Sequence, residues 1–179
     1  MKAYLSKMRG HGKGPPLVSL REVFWSWLGA FAGIGLTAAL NARLVEASDL
    51  MFLIGSFGAS AVLLYGAPKS PLAQPRNVLG GHVISALVGV SARLVLPYPG
   101  WACAALAVAC AIALMHATGT LHPPGGATAL IAVTGGPKVE ALGYLFVLIP
   151  AGAGAAVLIL VALLVNNAAK NRRYPEYWW

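Results

Sequence analysis

Apolar positions along this chain run in unbroken stretches, near residues 24–40, 50–65, 78–96, 101–118, 127–134 and 142–166, separated by short polar joints rich in Gly and Pro. A helix that is apolar all round faces either a large core or lipid. Crossing a bilayer takes roughly 20 such residues. By that measure the second stretch is short and the fifth is too short to cross alone. Glycines lie within or flank both, and Pro123-Pro124-Gly125-Gly126 lead into the fifth. The pattern predicts an all-α membrane protein in which these two segments are broken or re-entrant helices.

Composition agrees with that pattern, since 58% of the 179 residues are hydrophobic and only 10% are charged, against about 25% charged in a soluble domain. The length allows one domain and leaves no room for a separate soluble catalytic module. The net charge of +8 sits at the ends of the apolar stretches and never in an aromatic-interleaved basic stripe, so no nucleic-acid partner is expected. The bilayer is the expected partner. Cys103 and Cys110 are seven apart in an apolar run, about 10 Å along a helix axis, which excludes a disulfide and makes both small core residues.

The two short segments resemble each other. Gly58-Ala59-Ser60-Ala61-Val62-Leu63-Leu64 reads against Gly126-Ala127-Thr128-Ala129-Leu130-Ile131-Ala132, and after a one-residue slip Gly66-Ala67-Pro68-Lys69 reads against Gly135-Gly136-Pro137-Lys138. Each copy has an apolar stretch before and after it, so the expectation is two repeats of three segments. Three crossings per repeat make the second repeat inverted, a common transporter design. With the N-terminus inside, six crossings leave Lys2, Lys7, Arg9, Lys13, Arg21, Lys69, Arg76, Lys170, Arg172 and Arg173 inside, and only Arg43, Arg93 and Lys138 outside, beside Glu46, Asp49 and Glu140. That obeys the positive-inside rule. Four spans with re-entrant short segments would make the halves parallel and weaken the asymmetry, so six is the preferred count. Both termini are then cytoplasmic, in a bacterial inner (plasma) membrane. A cleaved signal peptide needs a shorter apolar run and a small-residue cleavage site, so an uncleaved first span is expected, and Phe24, Trp25 and Trp27 suit its interfacial belt.

Candidate chemistry gathers at the two breaks. Non-helical backbone at membrane depth survives only where it is buried in protein or lines a cavity. A helix starting there aims N–H groups and partial positive charge at an anion, with Ser60 and Thr128 adding hydroxyls. No Asp or Glu falls inside an apolar stretch, which argues against a carboxylate relay for cations. Substrate-binding candidates are therefore Phe57, Gly58, Ala59, Ser60, His122, Pro124, Gly125, Gly126, Ala127 and Thr128. His122 can donate to an anion or carry a proton, or else cap neighbouring backbone. His82, after Gly80-Gly81, lines the same cavity or serves structure, while Arg76 and Asn77 mark a mouth or an orientation anchor. Arg93 snorkels to the interface, and His11 is solvated in the tail. His116 lies six residues before His122 with no Cys or carboxylate to complete a ligand set, so no metal and no cofactor are expected. Gly29 and Gly33 form a small-residue face for a neighbouring helix or a second subunit, that is, a homo-oligomer.

The stretch Leu121-His122-Pro123-Pro124-Gly125-Gly126-Ala127-Thr128-Ala129-Leu130 resembles the signature of the HPP family of integral membrane proteins. Phe57-Gly58-Ala59-Ser60-Ala61, Gly66-Ala67-Pro68, Ser70-Pro71-Leu72-Ala73-Gln74-Pro75-Arg76-Asn77 and Gly80-Gly81-His82 are similar to the same family. The resemblance implies four transmembrane helices and, from its chloroplast and cyanobacterial members, transport of nitrite. Some members carry CBS domains after the membrane part; none is expected here, nor the regulation they bring. The HPP-like transmembrane region is placed at 23–167, between a basic cytoplasmic tail at 1–22 and an aromatic and basic cytoplasmic tail at 168–179. The chain is then no enzyme but a carrier or channel for a small anion. Two alternatives compete with it. Gly58-Ala59-Ser60-Ala61 resembles the Gly-x-Ser-Gly of rhomboid proteases, with His122 or His116 as base, though Ala61 replaces the final glycine. The other is a scaffold whose short helices only pack.

Overall fold

The computed structural model describes residues 2–9, 12–48, 52–96 and 100–179; His11 and Asp49 lie outside the described residues, as does the side chain of Glu46. All regular structure in the described residues is helical. After a short α1 (Lys2–Ser6), α2 runs Leu20–Ser48, α3 Ser56–Ala61, α4 Pro75–Val95, α5 Gly100–Ala117, α6 Pro123–Thr134, α7 Gly136–Leu142 and α8 Ala153–Ala168. Two wider π-helical turns, Val62–Gly66 and Val147–Gly152, extend α3 and lead into α8.

Four helices are long and apolar enough to cross a membrane: Leu20–Leu44, Pro75–Val95, Gly100–Ala117 and Val147–Ala168. The 12 residues of α6 rise only about 18 Å at 1.5 Å per residue, well short of the roughly 30 Å hydrocarbon core. The segment Ser56–Gly66 is shorter still. Pro75 and Pro123 sit at the first turns of α4 and α6, where a missing N–H costs nothing. Both helices therefore start earlier than the apolar pattern alone marks.

Polar contacts fix which helix ends meet. At one end Arg172, just past α8, donates to the Glu22 carbonyl and Ser26 Oγ of α2, to the Tyr65 carbonyl and to Asn166 Oδ1, all at 2.9–3.0 Å, and pairs with the Glu22 carboxylate. There the tail also straps the loop before α4: Tyr174 OH donates to the Ala73 carbonyl and Tyr177 OH to that of Pro71. At the opposite end Asn41 Oδ1 accepts the N–H groups of Phe52 and Leu53, Arg93 pairs with Glu140, and Ser91 meets Tyr144. Arg93 thus has a partner as well as a place near the boundary. Followed through these contacts, the chain reverses direction at each step along α2, α3, α4, α5, α6 and α8.

Small residues let these passes approach closely. A Cβ on Gly33 would lie 2.1 Å from the Tyr65 hydroxyl and one on Gly29 2.6 Å from its ring, so this small-residue face receives a side chain of the same molecule. A Cβ on Gly89 would meet the Ala129 carbonyl at 2.6 Å, and one on Gly154 the Phe57 ring at 2.2 Å. Cys103 is buried, whereas Cys110 faces outward, because α5 turns one side to α4 and α6 and leaves the other uncovered. Ile149 is extended ahead of Pro150, which breaks the last apolar stretch where unbroken helix was expected.

Candidate functional site

Where α3 crosses α6, four polar side chains meet in the interior of the bundle. Ser60, His82, His122 and Thr128 are each completely buried. His82 Nε2 lies 2.8 Å from Ser60 Oγ and His82 Nδ1 2.7 Å from Thr128 Oγ1. Ser60 Oγ also lies 2.9 Å from His122 Nε2, and His122 Nδ1 donates to the Leu72 carbonyl at 2.7 Å. Thr128 Oγ1 donates to Ser56 Oγ at 2.9 Å, with the Pro124 carbonyl at 3.3 Å. One continuous hydrogen-bonded chain therefore runs Ser56, Thr128, His82, Ser60, His122, Leu72.

Local sequence explains the convergence. Ser56 and Ser60 are four apart on α3, as Pro124 and Thr128 are on α6, so each pair shares a helix face. Ser56 pairs with Thr128 while Ser60 pairs with His122, which makes α3 and α6 antiparallel. Gly81 and Gly125 bring α4 and α6 together: a Cβ on Gly81 would fall 2.5 Å from His122 Cβ, and one on Gly125 2.8 Å from the Gly81 carbonyl. Phe57 closes the site edge-on, its ring 5.3 Å from the His82 ring, and the two imidazoles stand 5.1 Å apart.

The remaining candidates divide. Gly58 and Ala59 are exposed and Gly126 and Ala127 half-buried, all facing away from the histidines. Arg76 and Asn77 lie at the end where α4 begins, donating to the carbonyls of Thr118 and Leu121. There Arg76, Gly80, Thr118, Thr120 and Trp179 help to line a cavity of about 420 Å³. The buried Asn77 Oδ1 has no partner. His116, at the end of α5, is exposed. The first-turn amides are largely occupied: Phe57 and Gly58 donate to Ile54 and Gly55, Gly125 donates to His122, and Pro123 and Pro124 have none to offer. Side chains rather than bare helix termini thus form the polar surface at the crossing. Ser56 and the Leu72 carbonyl belong to it without having been singled out from sequence; the four-residue spacing to Ser60 was the available signal for Ser56. Among the described residues no three His, Cys, Asp or Glu side chains gather as a metal site.

Residues 15–175 match the family model described as HPP, transmembrane region. This chain belongs to the HPP family. The HPP chain is 47% identical over 180 residues to one transmembrane protein of Dictyostelium discoideum and 48% identical over 182 residues to a second. Each alignment covers 98% of this chain but only 57% and 63% of the respective relative, so the chain spans about six-tenths of the length of the curated relatives it matches. No solved structure matches it. Family membership and the four apolar helices make this HPP chain an integral membrane protein.

Proposed function

We propose that this chain carries a small inorganic anion, nitrite in the first instance, through the crossing of α3 and α6. One observation carries the reading. Ser60 and Thr128 occupy matched positions in the two sequence copies, and the two nitrogens of one imidazole, His82, join them at 2.8 and 2.7 Å. Matched hydroxyls on two broken helices, meeting inside a bundle, are what a repeat-built transporter places at its substrate site. In this reading the repeats are inverted, and the alternating chain direction along six passes supports them. The end holding Lys69, Arg76, Lys170, Arg172 and Arg173 is the cytoplasmic one.

The chemistry at the crossing suits an anion. Imidazole N–H and hydroxyl groups are donors that can turn toward a small oxyanion. Of the described glutamates, Glu22 and Glu140 are paired with Arg172 and Arg93 at the two ends of the bundle and Glu176 is exposed in the tail, so none is buried beside the histidines. Arg76, above the cavity where α4 begins, raises the local anion concentration. Because the four side chains are fully buried, the arrangement is an occluded one, and anion entry requires α3 and α6 to part at one end.

Uptake by proteoliposomes of nitrite, nitrate, formate and chloride, each against protein-free vesicles, tests the function. The expected result is saturable uptake with nitrite preferred. Absence of flux for all four contradicts anion transport and favours a scaffold. A second reading draws on the Ser60–His122 contact, which has the form of a nucleophile and its base. Against hydrolysis, Ser60 is shared between two imidazoles, and the amides of Phe57 and Gly58 are already bonded. A fluorophosphonate is expected to leave Ser60 unlabelled; stoichiometric labelling would make the protein a hydrolase.

A further inference from the structure

Hydrogen bookkeeping along the buried chain takes the transport reading one step further. Five contacts link Ser56, Thr128, His82, Ser60, His122 and the Leu72 carbonyl, and each needs one hydrogen. The carbonyl only accepts, so His122 Nδ1 carries a hydrogen, and Thr128 spends its hydroxyl hydrogen on Ser56. With both rings neutral and Thr128 donating to Ser56, the hydrogens of His122, Ser60, His82 and Thr128 fill four of the five contacts and the Ser56 hydroxyl hydrogen stays outside the chain. In that orientation all five contacts are filled when the histidine pair holds one additional proton. Without it, the Thr128 hydroxyl turns to His82 Nδ1 and the Ser56 hydroxyl turns to Thr128 Oγ1, so that the five contacts are again filled. The same side chains therefore accommodate two proton counts by rotating two hydroxyls, those of Ser56 and Thr128.

We propose that anion transport is coupled to a proton shared by His82 and His122 and relayed between them by Ser60. The inference rests on the transport reading above. With the proton on His82, its Nε2–H points to Ser60 Oγ and the Ser60 hydroxyl to His122 Nε2. Transfer breaks the N–H bond at His82 and forms one at His122, while Ser60 gives up one hydrogen and receives another, so atoms and charge balance. The relay runs lengthwise through the bundle, from Ser56 on the side of α3 that leads to Asn41, to Leu72 in the loop under the C-terminal strap.

The surroundings explain why the proton and the anion travel together. Packed against the pair, α3 presents Ser56, Phe57 and Ser60, α6 presents Thr128, and α5 presents Met115 through Gly81. From α8, Gly154 lies behind Phe57. The charged groups of α4 itself are engaged elsewhere, Arg76 on the Thr118 carbonyl and Arg93 on Glu140, and from the loop Gln74 bonds to the Pro68 and Ser70 carbonyls. No described acid neutralises the pair. A buried imidazolium without a counter-charge is costly, and an arriving anion supplies that charge.

Vesicles loaded with a pH-sensitive dye and given a nitrite or nitrate gradient read the coupling as lumen acidification, against protein-free vesicles. About one proton per anion is expected for the native chain, falling to near none in His122→Gln, which can still donate to Leu72 and accept from Ser60 but takes up no proton. Should that variant fail to insert, Ser60→Ala cuts the bridge with both rings intact and is expected to lose the coupling. Anion flux without acidification in the native chain, or full coupling in the inserted variants, overturns the relay while leaving transport in place. No flux of any anion overturns transport and the relay with it. An independent readout is the ¹⁵N spectrum of histidine-labelled protein in lipid: nitrite is expected to bring out an imidazolium signal that His122→Gln lacks. Its absence from the native protein with anion bound also overturns the proposal.

Discussion

Single residues carry the tightest constraints in this bundle, and Gly33 is the sharpest of them. Its place beside the Tyr65 hydroxyl leaves no room for a methyl group, at 2.1 Å from the added Cβ. Tyr65 in turn donates to the Leu158 carbonyl, tying the second pass to the last. Gly33→Ala is therefore expected to destabilise the protein by about 1–3 kcal/mol, the usual cost of overpacking, seen as earlier thermal unfolding in detergent. Gly126→Ala serves as the control, since only Val108 lies within reach of its Cβ, at 3.8 Å. At this scale the sequence was partly legible. Comparing the two short segments singled out Ser60 and Thr128 because both copies keep a hydroxyl at one register. His82 gave a weaker signal, because a lone histidine in an apolar helix does not reveal that its two nitrogens face two different helices. Gly58, Ala59, Gly126 and Ala127 were read as site residues from the motif itself, yet on a helix the neighbours of a site residue necessarily turn to other faces.

Among the elements, the C-terminal tail illustrates how little periodicity says about irregular chain. The bases and aromatics of residues 168–179 suited a cytoplasmic tail, and in the structure that tail holds helix ends together. Every N–H of the buried Arg172 guanidinium has an acceptor, supplied by α2, α8 and the turn ending α3. Arg172→Ala leaves the Tyr65 carbonyl and Asn166 without that donor and is expected to cost about 1–3 kcal/mol, the range for leaving buried acceptors unsatisfied, again measured by thermal unfolding. Burial, with Tyr65 nearby, pushes the Tyr174 phenol above its ordinary range, so it stays protonated and donates to Ala73. A raised folded-state value stabilises the docked tail below the ordinary tyrosine range. That contribution is lost as pH climbs above about 10. Tryptophan fluorescence of the tail is expected to change over this interval in the native chain and much less in Tyr174→Phe. The break at Pro150 was legible in principle from the proline itself, but the surrounding apolar run masked it. The short α7 carries too few residues to show a period.

For the whole molecule, length and hydropathy gave the helical membrane class, and the opposed short segments gave the outline of the candidate site. The number of passes is a subtler matter. Four helices reach spanning length, while α3 and α6 are too short to cross alone. The polar ends expected at the boundary are where Arg172–Glu22 and Arg93–Glu140 form, and the interior between them holds the His82-centred hydrogen-bond chain. The account's central claim is that an anion passes through that crossing and uses the paired hydroxyls. The most direct measurement is saturable nitrite uptake by proteoliposomes holding equal amounts of folded native, Thr128→Ser and Thr128→Val protein. The account predicts uptake well above protein-free vesicles for the native chain and Thr128→Ser, and a drop of roughly tenfold, equivalent to about 1.4 kcal/mol, for Thr128→Val. Equal uptake by native and Thr128→Val protein would contradict it.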